Sequence, residues 1–208
     1  MTEAYVRAFE RCGHVVTEAD VSPVRGMGKP EAIRKILSSL GARDVEAQIR
    51  PVHLAFQEIL GAFYEERGLR PIDGAVDVFS WLRSHGVKVA LTTGFDRPTL
   101  ELVLKLVGWE HGVVDAATCA ADVPDGRPAP DMIHRVMKLT GVDRPADVAV
   151  VGDTVSDMES GHRAGAGWII GVETGAHSRE QLEARRPTAV LQSVAALPVA
   201  WPDRSQAR

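Results

Sequence analysis

The chain has 208 residues, 45% of them hydrophobic and 25% charged, with 24 basic residues against 28 acidic ones and a formal net charge of -4. Length and composition are those of a globular domain carrying at most a small insertion, which excludes disordered, collagen-like and coiled-coil classes. The slight acidity leaves no electrostatic footprint for nucleic acid or an anionic membrane.

Residues 1–72 read as helix throughout. Tyr5, Ala8, Phe9 and Cys12 form one apolar stripe, Ile33, Ile36, Leu37 and Leu40 a second, and Ile49, Val52, Phe56, Leu60 and Phe63 a third, each at helical spacing. Breaks fall at Gly13, at Gly26-Met27-Gly28 and at Gly41, and Pro51 is expected to kink or delay the third helix. The opening residues lack the layout of an export signal, and no apolar run approaches the roughly 18 residues of a membrane span.

From about residue 73 to 208 the pattern becomes short β-rich runs alternating with amphipathic helices, as expected of a parallel sheet covered on both faces. Strands are predicted at 87–92, 116–119, 148–151, 168–172 and 189–191, with helices starting near Gly74, Asp96, Pro130, Val155 and Ser178. Asp96 ahead of Arg97-Pro98 is an N-cap with proline in the first turn. Gly86, Gly108, Gly141 and Gly165 stand where helices should stop. The fold class is therefore α/β, a doubly wound parallel sheet with a small helical module in front of it. The two cysteines, Cys12 and Cys119, are far apart and outside any CxxC spacing, which fits a reducing cytoplasm better than a disulfide framework or a thiolate zinc site.

In open α/β sheets ligands bind beyond the carboxyl ends of strands, and three such positions form a set. After the third strand comes Gly152-Asp153-Thr154-Val155-Ser156-Asp157, two carboxylates four residues apart, which suit Mg²⁺; the alternative is that Asp153 only caps the next helix. After the first strand comes Thr93-Gly94, a hydroxyl and a bare backbone N–H able to donate to a phosphate oxygen, or else an ordinary turn. Arg127, between Gly126 and Pro128, is either a phosphate-holding guanidinium or a solvated surface arginine. The seven histidines show no metal-ligand spacing and read as surface or helix-end residues, Trp81 and Trp168 as core, and Cys119 as a small buried hydrophobe.

Taken jointly, the stretches VKVALTTG (87–94), DVPDGRPAP (122–130) and VVGDTVSDMESGHRAG (150–165) resemble the haloacid dehalogenase superfamily, and their wording is similar to its phosphonatase-like hydrolases. The resemblance implies Mg²⁺-dependent hydrolysis of a small phosphorylated or phosphonate metabolite through an aspartyl-phosphate intermediate. Carried over, Thr93 and Gly94 contact the phosphoryl group, Arg127 neutralises its charge, Asp153 ligates the metal, and Asp157 ligates it or orients its waters. The helical module, 1–72, becomes a cap over the core, 73–208. Its Arg25-Gly26-Met27-Gly28-Lys29 segment matches the place of an imine-forming lysine, which makes Lys29 the candidate and Arg25 a substrate contact or a cation that lowers the pKa of Lys29. No nucleic-acid or membrane partner is expected, and a homodimer stays open.

One departure matters. The family's attacking aspartate ends an apolar strand that precedes the first cap helix and lies in the middle of the sheet, and no residue here takes that place: Asp20 falls in a helical linker and Asp73 ahead of a helix. The expectation is an upstream start, with two strands left with unpaired edges in this chain. The alternatives are an inactive remnant that binds a phosphorylated ligand or a regulatory partner, and a phosphosugar mutase on the same scaffold. A receiver-type phosphoacceptor domain shares the aspartates, threonine and sheet but has no cap.

Overall fold

A computed structural model describes residues 1–201. The first third of the chain is helical, with α1 (Thr2–Arg11), α2 (Glu18–Val21), α3 (Lys29–Ser39) and α4 (Val45–Arg67). The three apolar stripes converge: Tyr5, Ala8 and Phe9, Ile33, Ile36 and Leu37, and Val52, Phe56 and Leu60 are buried in one cluster. Leu40 is exposed instead, because α3 ends at Ser39. The break expected at Pro51 is absent, and α4 runs through it for 23 residues. The ring removes one backbone hydrogen bond, but Val52, Phe56 and Leu60 follow it into the core, each contributing on the order of 1.5–3 kcal/mol.

The rest alternates α5 (Ala75–Ser84), β1 (Ala90–Thr93), α6 (Arg97–Leu106), β2 (Ala116–Cys119), α7 (Asp131–Thr140), β3 (Ala149–Gly152), α8 (Val155–Ala164), β4 (Trp168–Val172), α9 (Arg179–Glu183), β5 (Ala189–Leu191) and α10 (Leu197–Ala200). Three strands fall on the expected residues. β1 starts later than the hydropathy suggests because the Val89 N–H donates to the Asp115 carboxylate, 2.9 Å away, rather than to a strand. Asp96 caps α6 as expected, its Oδ1 accepting from the Thr99 N–H at 3.1 Å. Gly141 and Gly165 end α7 and α8 in the left-handed conformation, with φ of 70° and 71°, which costs glycine nothing.

All pairings are parallel, but they form two sheets, β1 with β2 and β3 with β4 and β5. Among the described residues β1 and β3 each pair along one edge, and no residue of either is buried, whereas four of the five residues of β4 are. Two helices hold the halves together. On one face Val78 and Leu82 of α5 share a cluster with Val89, Val151 and Ile170. On the other, α7 packs on β1, β2 and α8. Among the described residues no helix is long and apolar enough to cross a membrane.

Candidate active site

The carboxyl ends of β1, β2 and β3 meet beneath the Gly26-Met27-Gly28 loop. The Lys29 N–H donates to the Gly94 carbonyl at 3.1 Å, a Cβ on Gly28 would stand 3.3 Å from the Ala120 Cβ, and one on Gly26 would run into the Thr154 side chain. Gly94 is equally constrained, since a Cβ there would strike the Met27 carbonyl and come within 3.2 Å of that of Gly26. These glycines let two backbones touch, a requirement the sequence alone did not reveal.

Lys29 is only 6% exposed. Its ammonium lies 5.1 Å from the Phe95 ring centre, 5.8 Å from that of Tyr5 and 6.0 Å from that of Phe56. Burial, with a smaller push from the Arg127 charge, lowers its pKa to about 7 against the pull of Asp96. The cation beside Lys29 is thus Arg127; Arg25, expected in that role, spends its guanidinium on the Ala176 carbonyl, Thr2 and Glu18.

Arg127 is buried rather than solvated, with its side chain 12% exposed, and it is paired with Asp157. Its Nε is buried without a hydrogen-bond partner among the described residues. Burial pushes its pKa down to about 10, opposed by Asp153, which leaves it charged at neutral pH. Asp157 has both oxygens engaged: Oδ1 accepts from Arg127, and Oδ2 accepts from the Thr154 N–H at 3.0 Å and its hydroxyl at 2.6 Å. Thr154, not Asp153, caps α8.

Asp153 is half-buried. Its Oδ2 accepts from the Ala176 N–H at 2.7 Å, while among the described residues its Oδ1 takes no hydrogen bond. Thr93 is half-buried and accepts from the Phe95 N–H at 3.2 Å, leaving its own proton to donate. The site therefore brings together Thr93, Gly94, Lys29, Arg127, Asp153 and Asp157, with Arg25 tied down at its margin.

Among the described residues no three His, Cys, Asp or Glu side chains gather as a metal cage. Mg²⁺ asks for less, one or two carboxylates with waters and a phosphate. Asp153 fits that with its open oxygen; Asp157 offers none and stands behind it. Of the two roles expected of Asp157, ligand or orienter of the metal's waters, its engaged oxygens fit the second, because the capping box and the arginine occupy them.

The histidine reading also needs correction. His177 is 8% exposed, with its Nδ1 accepting from the Val155 N–H at 3.3 Å, and half-buried His53 faces Asp96 at 3.3 Å. Trp81 and Trp168 are half-buried, not core, while Cys119 is fully buried. An open cleft of about 460 Å³ lined by Ser80, Arg83, Lys88 and Asp115 lies at the opposite, amino ends of β1 and β2.

A parallel α/β core whose strand tips gather threonine, arginine and paired aspartates under a helical module defines a class. The chain belongs to the haloacid dehalogenase-like hydrolases, whose family model matches residues 1–165. It is similar to the phosphonoacetaldehyde hydrolase of Bacillus cereus, with 31% identity over 183 residues, 83% of this chain and 69% of that protein. A phosphonoacetaldehyde hydrolase-like protein from Oleispira antarctica superposes with a TM-score of 0.83 at 25% identity, over 95% of this chain and 83% of that one. A hydrolase from Pseudomonas syringae, at 18% identity and a TM-score of 0.85 over 95% and 88% of the two chains, shares the fold.

Proposed function

We propose that this site cleaves a small phosphonate or phosphate compound bearing a carbonyl group, with phosphonoacetaldehyde as the first substrate to try. The observation that carries the reading is the buried Lys29, an amine lowered to about 7 and so half neutral at physiological pH, beside the buried Arg127 with a free Nε. One group suits a carbonyl and the other a phosphoryl anion, and both lie where the helical cap meets the strand tips.

In this scheme Thr93 and the Gly94 loop receive the phosphoryl oxygens while Arg127 neutralises their charge. The neutral Lys29 amine adds to the substrate carbonyl carbon and water leaves, giving an iminium. The electron pair of the C–P bond then flows into that iminium as phosphorus passes to an acceptor carboxylate, and the enamine is protonated at carbon and hydrolysed to aldehyde and free lysine. Water attacks the acyl phosphate, releasing phosphate. Bound Mg²⁺, held by Asp153, would screen phosphoryl charge. Asp157 keeps Arg127 and Thr154 in place.

The acceptor carboxylate belongs on a strand between β1 and β3, each of which has an edge without a strand partner among the described residues. A chain carrying an added amino-terminal strand ending in aspartate is expected to release phosphate with Mg²⁺, and Asp153→Ala to abolish this. Borohydride should trap the substrate on wild type and not on Lys29→Arg. Ordinary turnover of p-nitrophenyl phosphate by the 208-residue chain alone would refute the placement of the nucleophile. A second reading, a phosphate-binding protein without turnover, is favoured by the same open edges and predicts binding without phosphate release.

A further inference from the structure

Resting on the reading of Asp153 as the carboxylate that would hold Mg²⁺, we propose that Arg25 is a positioning residue through which docking of the helical cap orients Asp153. The link is one turn of the loop after β4. On the core side, the Ala176 N–H donates to Asp153 Oδ2 at 2.7 Å and the His177 N–H to the Asp153 carbonyl at 3.2 Å. On the cap side, Arg25 Nη1 donates to the Ala176 carbonyl at 2.9 Å. The same two residues therefore hold Asp153 by side chain and main chain while a cap guanidinium holds them.

The geometry leaves little slack. Gly175 has no room for a Cβ, which would strike the Asp153 carboxylate. Arg25 is itself fixed, with Nη2 donating to Thr2 Oγ1 at 3.0 Å and Glu18 Oε1 at 2.8 Å, and its carbonyl accepts from the Ser156 hydroxyl at 3.4 Å. Its side chain is 19% exposed and that of Glu18 75%, so the bond to Ala176 is the sheltered one. A guanidinium on that carbonyl polarises the Ala176–His177 peptide and strengthens the His177 N–H as a donor to the Asp153 carbonyl, and by fixing the turn it holds the Ala176 N–H of the preceding peptide on the carboxylate. Movement of the cap away from the core withdraws Arg25 and frees the turn, so the carboxylate reaches its working orientation only when the cap is docked.

Amide exchange at Ala176, read by NMR on the full chain, tests this. Arg25→Ala should speed that exchange roughly ten- to a hundred-fold, the scale of losing one charge-assisted hydrogen bond, while β4 amides keep their protection. Arg25→Lys, able to reach the same carbonyl, should restore most of it. In an Asp153→Ala background Arg25→Ala should add little, because the partner is already gone. Mg²⁺ titration by calorimetry should show about tenfold weaker binding in Arg25→Ala. Unchanged Ala176 exchange in Arg25→Ala, or equal acceleration across β4, overturns the relay. Absence of Mg²⁺ binding in wild type overturns instead the reading of Asp153, and the exchange data still decide the relay.

Discussion

The Lys29 ammonium lies 5.1 Å from the centre of the Phe95 ring, which places a residue of the helical module over the loop leaving β1. Aromatic faces offset part of the cost of an unsolvated cation, and what remains uncompensated shows as a pKa near 7.

That shift has a definite sign in stability. The amine binds its proton less readily in the folded chain than in the unfolded one, so it destabilises the fold most below pH 7 and not at all above about 10.5. Wild type should gain stability between those limits relative to Lys29→Met. The variant should be more stable at pH 7 by on the order of 2–4 kcal/mol, as measured by urea denaturation at a series of pH values. Parallel curves for the two proteins would refute the buried amine.

Arg127 and Asp157 form a buried pair. Asp157→Ala leaves a guanidinium without its carboxylate and should cost about 3–5 kcal/mol. Arg127→Met combined with Asp157→Leu should recover much of that loss. Equilibrium unfolding of the three variants measures both effects.

Gly94→Ala should force the Met27 carbonyl away from the loop after β1. The expected penalty is about 1–3 kcal/mol, with faster amide exchange at Lys29, whose N–H bonds Gly94. Exchange at Ile36, in the heart of the helical module, should not change.

Asp96 ties α4 to the start of α6. Burial pushes its pKa up, yet the neighbouring His53 ring and the hydrogen bonds from Thr99 win and hold it at about 2, and the Gln57 amide also donates to it. A carboxylate depressed on folding stabilises above its unfolded value, near 3.8, and the gain disappears as pH falls toward 2. Asp96→Ala should cost about 0.5–2 kcal/mol at pH 7 through the lost helix cap. The difference from wild type should shrink across that acid window in thermal melts.

Much of the fold was legible because local chemistry and tertiary packing agree. Ala116–Cys119, Trp168–Val172 and Ala189–Leu191 are strands where apolar runs say so, and Ser178 and Asp96 cap helices with their own oxygens. Pro51 misled because its local cost is outweighed by burial of the residues that follow. Thr93, Arg127, Asp153 and Asp157 stood out because each follows a strand or loop near a strand tip. The roles of His53 and Ala176 did not, since their partners, Asp96 and Asp153, lie 43 and 23 residues away in sequence and no spacing rule reaches that far.

The sequence by itself determined the alternation of strands and helices, the apolar stripes and the identity of the polar residues at the strand tips, because those depend on periodicity and on neighbours a few positions apart. Tertiary structure alone decided which charges are buried. It moved the cation beside Lys29 from Arg25 to Arg127, committed both oxygens of Asp157, and divided the strands between two sheets. Burial and hydrogen-bond partners are properties of distant segments brought together, and the shifts they impose exist only once the chain has folded.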